Sequence, residues 1–271
     1  MKEIESNNQA WSKLAEEHYK HYKKELLEGT HKLNPIITRE LPDLSGKRVI
    51  HLQCNTGADS LLLAKLADHV TGVDISRENV FFARKMAEEL GYENTDFIAC
   101  DVLEIADKLN EKYDMVFTSE GVLGWLPDLD KWAQNVRACL KDDGVFYIFD
   151  SHPFYMMLDE SKLEKEEYFV KYPYFGKQPD VDDTIGGYAS EPVGGVKAYF
   201  WMHTVSEIIN SLIGAGLHIV FFNEYTFNFF DSGGMSPSKA EGLWEYPYNE
   251  DKYPMSYSLM ATVYPGRRER K

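Results

Sequence analysis

A chain of 271 residues, 44% hydrophobic and 14% aromatic, is long enough for one large α/β core or one core with a sizeable insertion. Its formal net charge of −15 argues against a general polyanion binder, which needs clustered Lys and Arg, and leaves Arg267, Arg268, Arg270 and Lys271 as a solvated basic tail. Cys54, Cys100 and Cys139 show no metal-ligand spacing and no even pairing, residues 1–30 lack an apolar leader core, and no run nears the ~20 apolar residues of a membrane span, so a cytoplasmic protein without metal or membrane partner is expected.

Residues 6–28 place Trp11, Leu14, Ala15, His18, Tyr19, Tyr22 and Leu26 at helical spacing, which predicts an amphipathic helix ending at Gly29. Residues 33–41 suit a second short helix, and 42–47 a turn. Residues 48–52 are an apolar, β-prone run; 53–57 break it; 59–67 carry Leu61, Leu62, Leu63, Ala64 and Leu66 as a helix would; 70–73 form a second strand ending on Asp74. This is a βαβ unit, whose first loop lies at the carboxyl edge of the sheet, where open α/β folds bind ligands. Gly57 lets backbone approach a ligand, Asn55 tolerates positive φ, and amides from Ala58 onward favour polar or anionic groups. The Asp74 carboxylate stands where a ribose diol would be gripped.

Ser76 is the expected N-cap of a helix running to Leu90 and stopped by Gly91, with Asn79 at the capping-box position and Glu78 near the positive end. Residues 95–99 form a third strand followed by Asp101 and Val102, and 113–118 a fourth that runs into Ser119, Glu120, Gly121, Trp125 and Leu126. A helix over 128–140, a turn over 141–144 and an apolar strand over 145–149 continue the alternation, which implies a parallel doubly wound sheet.

Residues 151–201 break that rhythm with Pro153, Pro173, Pro179 and Pro192, two Gly-Gly pairs and dense aromatics including Tyr199 and Trp201. They read as an insertion of loops and an antiparallel hairpin leaving the carboxyl edge of the fifth strand: a lid or acceptor pocket, or else a homodimer arm or surface extension. His152 sits at its root, as a general base or a structural group. Thr204 and Glu207 form a capping box for a helix over 204–217, with His203 just before it fixing the helix start or reaching the site. Residues 218–224 are a sixth strand and 255–264 a seventh, antiparallel one. Between them, the aromatic loop 225–254, with Phe229, leaves the same edge of the sheet.

Segment 48–76 resembles motif I and its acidic follow-up in class I S-adenosylmethionine-dependent methyltransferases, in particular a small bacterial-type subgroup reading LQCNTG at this loop. Of the three glycines in the E/D-x-G-x-G-x-G form only Gly57 is present, and Gln53 stands where a carboxylate usually sits. The resemblance implies an α/β fold with a Rossmann-like doubly wound seven-stranded sheet and antiparallel last strand, an N-terminal helical segment (1–47), a cofactor-binding core (48–152), an inserted β/loop cap (153–203) and a C-terminal part of the sheet (204–271). It implies S-adenosyl-L-methionine as cofactor, held by Gln53, Cys54, Asn55, Thr56, Gly57, Asp74 and Ile75, with Asp101 on the adenine amino group, Val102 on its ring, and Ser119 and Gly121 beside the transferred methyl. Trp125 and Leu126 would flank the adenine. Because such N-terminal helices cover the cofactor, Tyr19 and Tyr22 either line the pocket or simply pack. With Trp125, Tyr199, Trp201 and Phe229 they make up the expected substrate pocket. Glu120, His152 and His203 are the candidate bases, and Glu120 alternatively caps a helix or bonds backbone amides. The loop lacks the N-P-P-Y or D-P-P-Y run of amino-directed nucleobase enzymes and the Pro-Cys nucleophile of cytosine-C5 enzymes, so a small-molecule acceptor and no nucleic-acid partner are expected. Two rivals stand beside this: a nicotinamide-dependent oxidoreductase, which would want G-x-G-x-x-G in the first turn, and a non-catalytic cofactor-binding protein of the same fold.

Overall fold

Arg48–Leu52 forms strand β1, in which every residue after Arg48 is buried, as a strand covered on both faces requires. The computed structural model describes residues 2–186, 188–238 and 242–263. Before β1 come α1 (Lys2–Glu28) and α2 (Pro35–Glu40), the latter capped by Asn34, whose side chain accepts from Ile36 N. After it follow α3 (Ala58–Ala64), β2 (His69–Asp74), α4 (Arg77–Leu90), β3 (Thr95–Ala99), β4 (Tyr113–Ser119), α5 (Leu129–Cys139) and β5 (Leu140–Ser151). Then come α6 (Pro153–Met156), α7 (Glu160–Leu163), the hairpin β6 (Asp180–Ile185) and β7 (Val193–Phe200), α8 (Val205–Gly214), β8 (Leu217–Tyr225), the short pair β9 (Ser236–Pro237) and β10 (Trp244–Glu245), and β11 (Ser256–Val263).

The central sheet has seven strands in the order β3-β2-β1-β4-β5-β11-β8. The first five run parallel, and β11 lies antiparallel between β5 and β8. Alternate residues of the strands serve opposite faces. Ile50, Leu52, Val116, Phe146 and Ile148 meet Trp132, Val136, Ile208 and Leu212 from α5 and α8. Val49, Met115, Phe117, Tyr147 and Phe149 meet Ile36, Ile37 and Leu63 from α2 and α3. Each fully buried aliphatic side chain of this kind contributes about 1.5–3 kcal/mol. The expected α/β architecture with its antiparallel last strand is the one observed.

The caps fall where the residue types place them. Ser76 accepts from Asn79 N, Gly91 ends α4 at φ 76°, and Thr204 with Glu207 closes a capping box on α8. Several boundaries differ from expectation, and α3 ends at Ala64 rather than at 67. α1 begins four residues early, at Lys2. The turn expected over 141–144 lies within β5, where pairing with β4 steps from Tyr113↔Leu140 to Met115↔Val145 and the extra residues are taken up as an irregularity. α8 stops at Gly214, and Leu217 opens β8 instead of ending the helix. Tyr264, expected in the seventh strand, lies outside the described residues, as does the basic tail.

The insertion contains the expected hairpin, which docks on α1 of the same chain. Asn7 Nδ2 donates to Tyr199 O at 2.8 Å and Tyr199 N donates back to Asn7 Oδ1 at 2.7 Å, so a buried side chain imitates a neighbouring strand. Phe200 lies over Gly124, where an added Cβ would come within 1.9 Å of its ring. Among the described residues no helix is long and apolar enough to cross a membrane.

Candidate active site

A cavity of about 1710 Å³ opens at the carboxyl edge of the sheet, between α1, the loops after β1, β2 and β4, and the insertion. Its shape begins with the loop after β1. Gln53, Asn55 and Gly57 take φ of 56°, 52° and 82°, so every second residue is left-handed. Two of these are not glycine, a strained arrangement of the kind that functional loops retain. Counting back from Gly57 along E/D-x-G-x-G-x-G, Gln53 occupies the first glycine position and the acidic position falls on His51. The assignment of Gln53 to the carboxylate position is therefore corrected. His51 is buried, with Nδ1 2.9 Å from Ser60 Oγ, and burial pushes its pKa down to about 4, so it brings no charge.

Gly57 itself does not line the cavity. It N-caps α3, and a Cβ there would meet Phe97 at 2.7 Å, so the glycine serves the turn and the packing of that ring. Gln53, Cys54, Asn55 and Thr56 do line it. Gln53 Nε2 donates to Val122 O at 2.9 Å, while Gln53 Oε1 and Thr56 Oγ1 are buried without a hydrogen-bond partner among the described residues. Orphaned polar atoms at the mouth of a βα turn fit a polar ligand. The Cys54 thiol is pushed well up by burial and is not a nucleophile at neutral pH.

Asp74 and Ile75 also face the cavity. Asp74 Oδ2 accepts from Asn55 N at 2.9 Å, and Oδ1 accepts from Ser76 N at 2.9 Å and Asn79 Nδ2 at 3.1 Å. Burial nevertheless lifts its carboxyl to about 6, because the bonds only partly replace water. Asp101 and Val102 follow β3 on the same wall. Asp101 Oδ1 accepts from Leu103 N, and burial raises its carboxyl as well.

The loop after β4 closes the other side. Asp150 fastens it by accepting from Gly121 N (2.6 Å), Val122 N (3.3 Å) and Leu123 N (3.1 Å). His203 Nε2 donates to Leu126 O at 2.8 Å, and Trp201 N donates to Gly124 O at 2.7 Å. Ser119, Glu120, Gly121, Trp125, Leu126, Trp201, His203 and Phe229 are all in the wall. Glu120 adopts φ 63° and is lifted to about 8, first by burial and then by the charge of Asp59, against a hydrogen bond from Asn34.

Of the three candidate bases, Glu120 and His203 reach the cavity. His152 is absent from the wall. Its Nδ1 accepts from Phe154 N at 3.0 Å as the N-cap of α6, which leaves the proton of the neutral ring on Nε2, 2.9 Å from Glu224 Oε1. His203 touches the cavity but spends Nε2 on holding the Leu126 carbonyl, and burial lowers its pKa. Among the pocket residues, Tyr22, Trp125, Trp201 and Phe229 line the cavity. Tyr19 does not: it stacks on Phe82 at 5.0 Å and its hydroxyl donates to Glu89, away from the site. Tyr199 does not either, since its backbone is clamped to Asn7 and its ring lies outside the wall.

Asp59, His31, Asn34, Asp150 and Tyr257 went unread in the sequence as site residues, and Tyr188 was read only among the aromatics of the insertion. Tyr188 comes from the insertion, its ring 5.1 Å from that of His18 and its hydroxyl 3.4 Å from Asn55 Nδ2, so insertion and α1 meet over the first loop. A polar residue inside an apolar strand, His51, and an acid in the first turn of α3, Asp59, were the available signals.

The Glu120 carboxyl gives a pH test. A folded-state pKa near 8 against 4.5 means the folded chain keeps a proton that the unfolded chain has lost, so this group's contribution is full below about 4.5 and disappears as pH rises through about 8. Glu120→Gln is expected to raise the melting temperature at pH 8.5 by about 5 °C, from about 1–3 kcal/mol, and to change it little at pH 4.5. The same shift at both pH values in thermal unfolding would contradict the buried protonated carboxyl.

Comparison with known proteins agrees with this geometry. A methyltransferase domain family model matches residues 43–183, just over half of the chain. A ubiquinone biosynthesis O-methyltransferase of Actinobacillus pleuropneumoniae serotype 7 (strain AP76) is 35% identical over 132 residues, which cover 43% of this chain and 53% of that protein. The chain thus spans about half the length of that curated relative. An uncharacterized RNA methyltransferase of Caldanaerobacter subterraneus subsp. tengcongensis is 39% identical over 74 residues, 27% of this chain and 16% of that protein. The solved structure of an S-adenosylmethionine-dependent methyltransferase from Mesorhizobium loti shares the fold, with a TM-score of 0.55 and 20% identity over 84% of this chain and 96% of that one. With the strand order, the left-handed first turn and the family match in agreement, the chain belongs to the methyltransferase domain family.

Proposed function

We propose that the chain is an S-adenosylmethionine-dependent methyltransferase that acts on a small-molecule acceptor. The observation that carries this is the convergence on one cavity of the Asp74 carboxylate, the unpartnered Gln53 and Thr56 oxygens, Asp101–Val102, and a loop after β4 fastened from three sides. Asp74 retains lone pairs beyond its amide bonds for sugar hydroxyls. Asp101 and Val102 would hold the adenine, and Gln53 and Thr56 the methionine end. Bound there, the sulfonium supplies an already electrophilic methyl carbon, so the protein's part is alignment, exclusion of water and removal of a proton. Asp150, Gln53 and His203 do the aligning by fixing residues 121–126. Glu120 is the group placed to take the proton, and a carboxyl near 8 is well matched to that role at neutral pH. The insertion, docked on its own α1, serves as the cap over the acceptor rather than a dimer arm.

A small acceptor is supported by the −15 charge and by the aromatic rings of Tyr22, Trp201 and Phe229 in the wall, and the curated O-methyltransferase relative is named for ubiquinone biosynthesis. The RNA methyltransferase of Caldanaerobacter matches only about a quarter of the chain, and the net charge of −15 opposes a polyanion acceptor. Titration calorimetry with S-adenosylhomocysteine and with NADH tests the cofactor class. Micromolar binding of the first alone is expected. Binding of NADH alone would favour the oxidoreductase reading, and binding of S-adenosylhomocysteine with no methyl transfer to any acceptor in a broad panel, nucleic acids included, would favour a non-catalytic role.

A further inference from the structure

The cavity wall facing the end of β4 carries carboxyl groups that cofactor binding does not use. Asp59 Oδ1 accepts from His31 Nε2 at 2.9 Å, and His31 Nδ1 lies 3.4 Å from Glu25 Oε2. Burial pushes the Asp59 carboxyl up, but the bonded His31 outweighs it and holds Asp59 below the ordinary carboxylate range; burial likewise opposes charge on His31, yet Asp59 and Glu25 carry it above its usual value. The ring of Tyr22 meets that of His31 edge-on at 5.1 Å. Glu120 faces Asp59 on α3, Asp150 on β5, Tyr22 on α1 and Tyr188 on the insertion, with Asn34 as its hydrogen-bond partner. His31, bonded to Asp59, is the basic group beside these carboxyls, and Asp59 and Glu25 favour its charged form. The basic residues of the wall, Lys32, Arg39, Lys65 and Lys171, are exposed, whereas Asp150 is buried and Asp59 and Glu120 are partly so.

A second observation points to a ligand. The Tyr257 side chain is fully buried, its hydroxyl has no hydrogen-bond partner among the described residues, and it lines the same cavity directly across the ladder from Asp150. A phenol hydroxyl left open beside inward carboxyl groups fits an occupant with polar hydrogens and positive charge. A carboxylate acceptor would be repelled by this acidic wall, and a neutral alcohol would bring it no compensating charge.

We propose that the methyl acceptor is a primary amine that enters as its ammonium ion and is received by Asp59 and Glu120, with its hydrocarbon part against Tyr22, Trp201 and Phe229. This deepens, and rests on, the methyltransferase reading. As the cation enters, the proton held by Glu120 leaves to solvent. The ammonium then passes one proton to the Glu120 carboxylate. The freed nitrogen lone pair forms the N–C bond as the S–C bond breaks and its electron pair stays on sulfur. The product is a methylammonium ion, and Glu120 is again protonated.

The test is calorimetry on the full chain saturated with S-adenosylhomocysteine, at pH 7, with three probes of one shape: phenethylamine, 2-phenylethanol and phenylacetate. The amine is expected to bind at least tenfold tighter than the alcohol, with no binding of phenylacetate. Its binding should release about one proton, seen as a heat that depends on the buffer's ionisation enthalpy. Glu120→Gln and Asp59→Asn should each weaken the amine by roughly tenfold or more, and Glu120→Gln should abolish the proton release, while both still bind S-adenosylhomocysteine. Alcohol or phenylacetate binding as well as the amine, no amine binding, or unchanged affinity and proton release in Glu120→Gln overturns the proposal. Failure of the wild type to bind S-adenosylhomocysteine would instead sink the methyltransferase reading, so the two failures are distinct.

Discussion

Asp74→Ala is expected to weaken S-adenosylhomocysteine binding about ten- to hundredfold and to lower stability by about 2–4 kcal/mol. Both effects come from one carboxylate with two tasks. Within the protein it holds Asn55 N, Ser76 N and Asn79 Nδ2, and so ties the first loop to the start of α4. Alanine strands these donors in a buried place, and each stranded donor costs about 1–3 kcal/mol unless water enters. Toward a ligand, the mutation removes the only carboxylate at the end of β2. Asp74→Asn separates the tasks. It keeps one acceptor oxygen and the side-chain shape, so most of the stability returns, but an amide donor now faces a donor. The pH dependence has a fixed sign: with the free carboxyl near 6, a ligand that needs the ionised form loses affinity as pH falls below about 6. Urea unfolding and calorimetry at pH 5.5 and 7.5 read all three quantities, and an unchanged dissociation constant in Asp74→Ala would remove Asp74 from the site.

Gly57→Ala is expected to cost about 2–5 kcal/mol. Two separate terms add. The φ of 82° costs a residue with a Cβ about 1–2 kcal/mol. The new methyl would also stand 2.7 Å from Phe97 and 3.0 Å from Ala83, and overpacking of this kind costs about 1–3 kcal/mol. Phe97 cannot simply move aside, because Gly72 confines the same ring from below, with an added Cβ there at 2.4 Å. Adding Phe97→Leu to Gly57→Ala should therefore recover the steric part and leave the backbone part. Full recovery would mean that conformation contributes nothing, and no recovery would mean that packing contributes nothing; unfolding curves of the two single variants and the double variant decide between them.

The alternation of strands and helices was legible because apolar runs, the Ser76 and Thr204 caps and the Gly91 stop agree locally with the fold. The start of β5 was not, since Asp142, Asp143 and Gly144 have turn chemistry and only pairing with β4 draws them into a strand. Tyr19 and Tyr22 share one amphipathic pattern, yet one helical turn separates a ring stacked on α4 from a ring in the cavity. His152 read as a general base or a structural group because it sits at the root of the insertion; in the structure that same position makes it a helix cap. The His31–Asp59 pair bridges 28 positions, from the loop between α1 and α2 to α3, which no local pattern encodes. The motif count placed the missing carboxylate two residues away from where it belongs, and the left-handed φ values at 53, 55 and 57 fix that register.

The most direct measurement is a crystal structure of the protein with S-adenosylhomocysteine. The ribose hydroxyls should lie within hydrogen-bonding distance of Asp74, the adenine edge against Asp101 and Val102, and the sulfur should face the loop that carries Glu120. A nucleoside bound elsewhere, or a cleft closed by Gln53, Thr56 and Tyr188 with no room for one, would contradict the methyltransferase site described above.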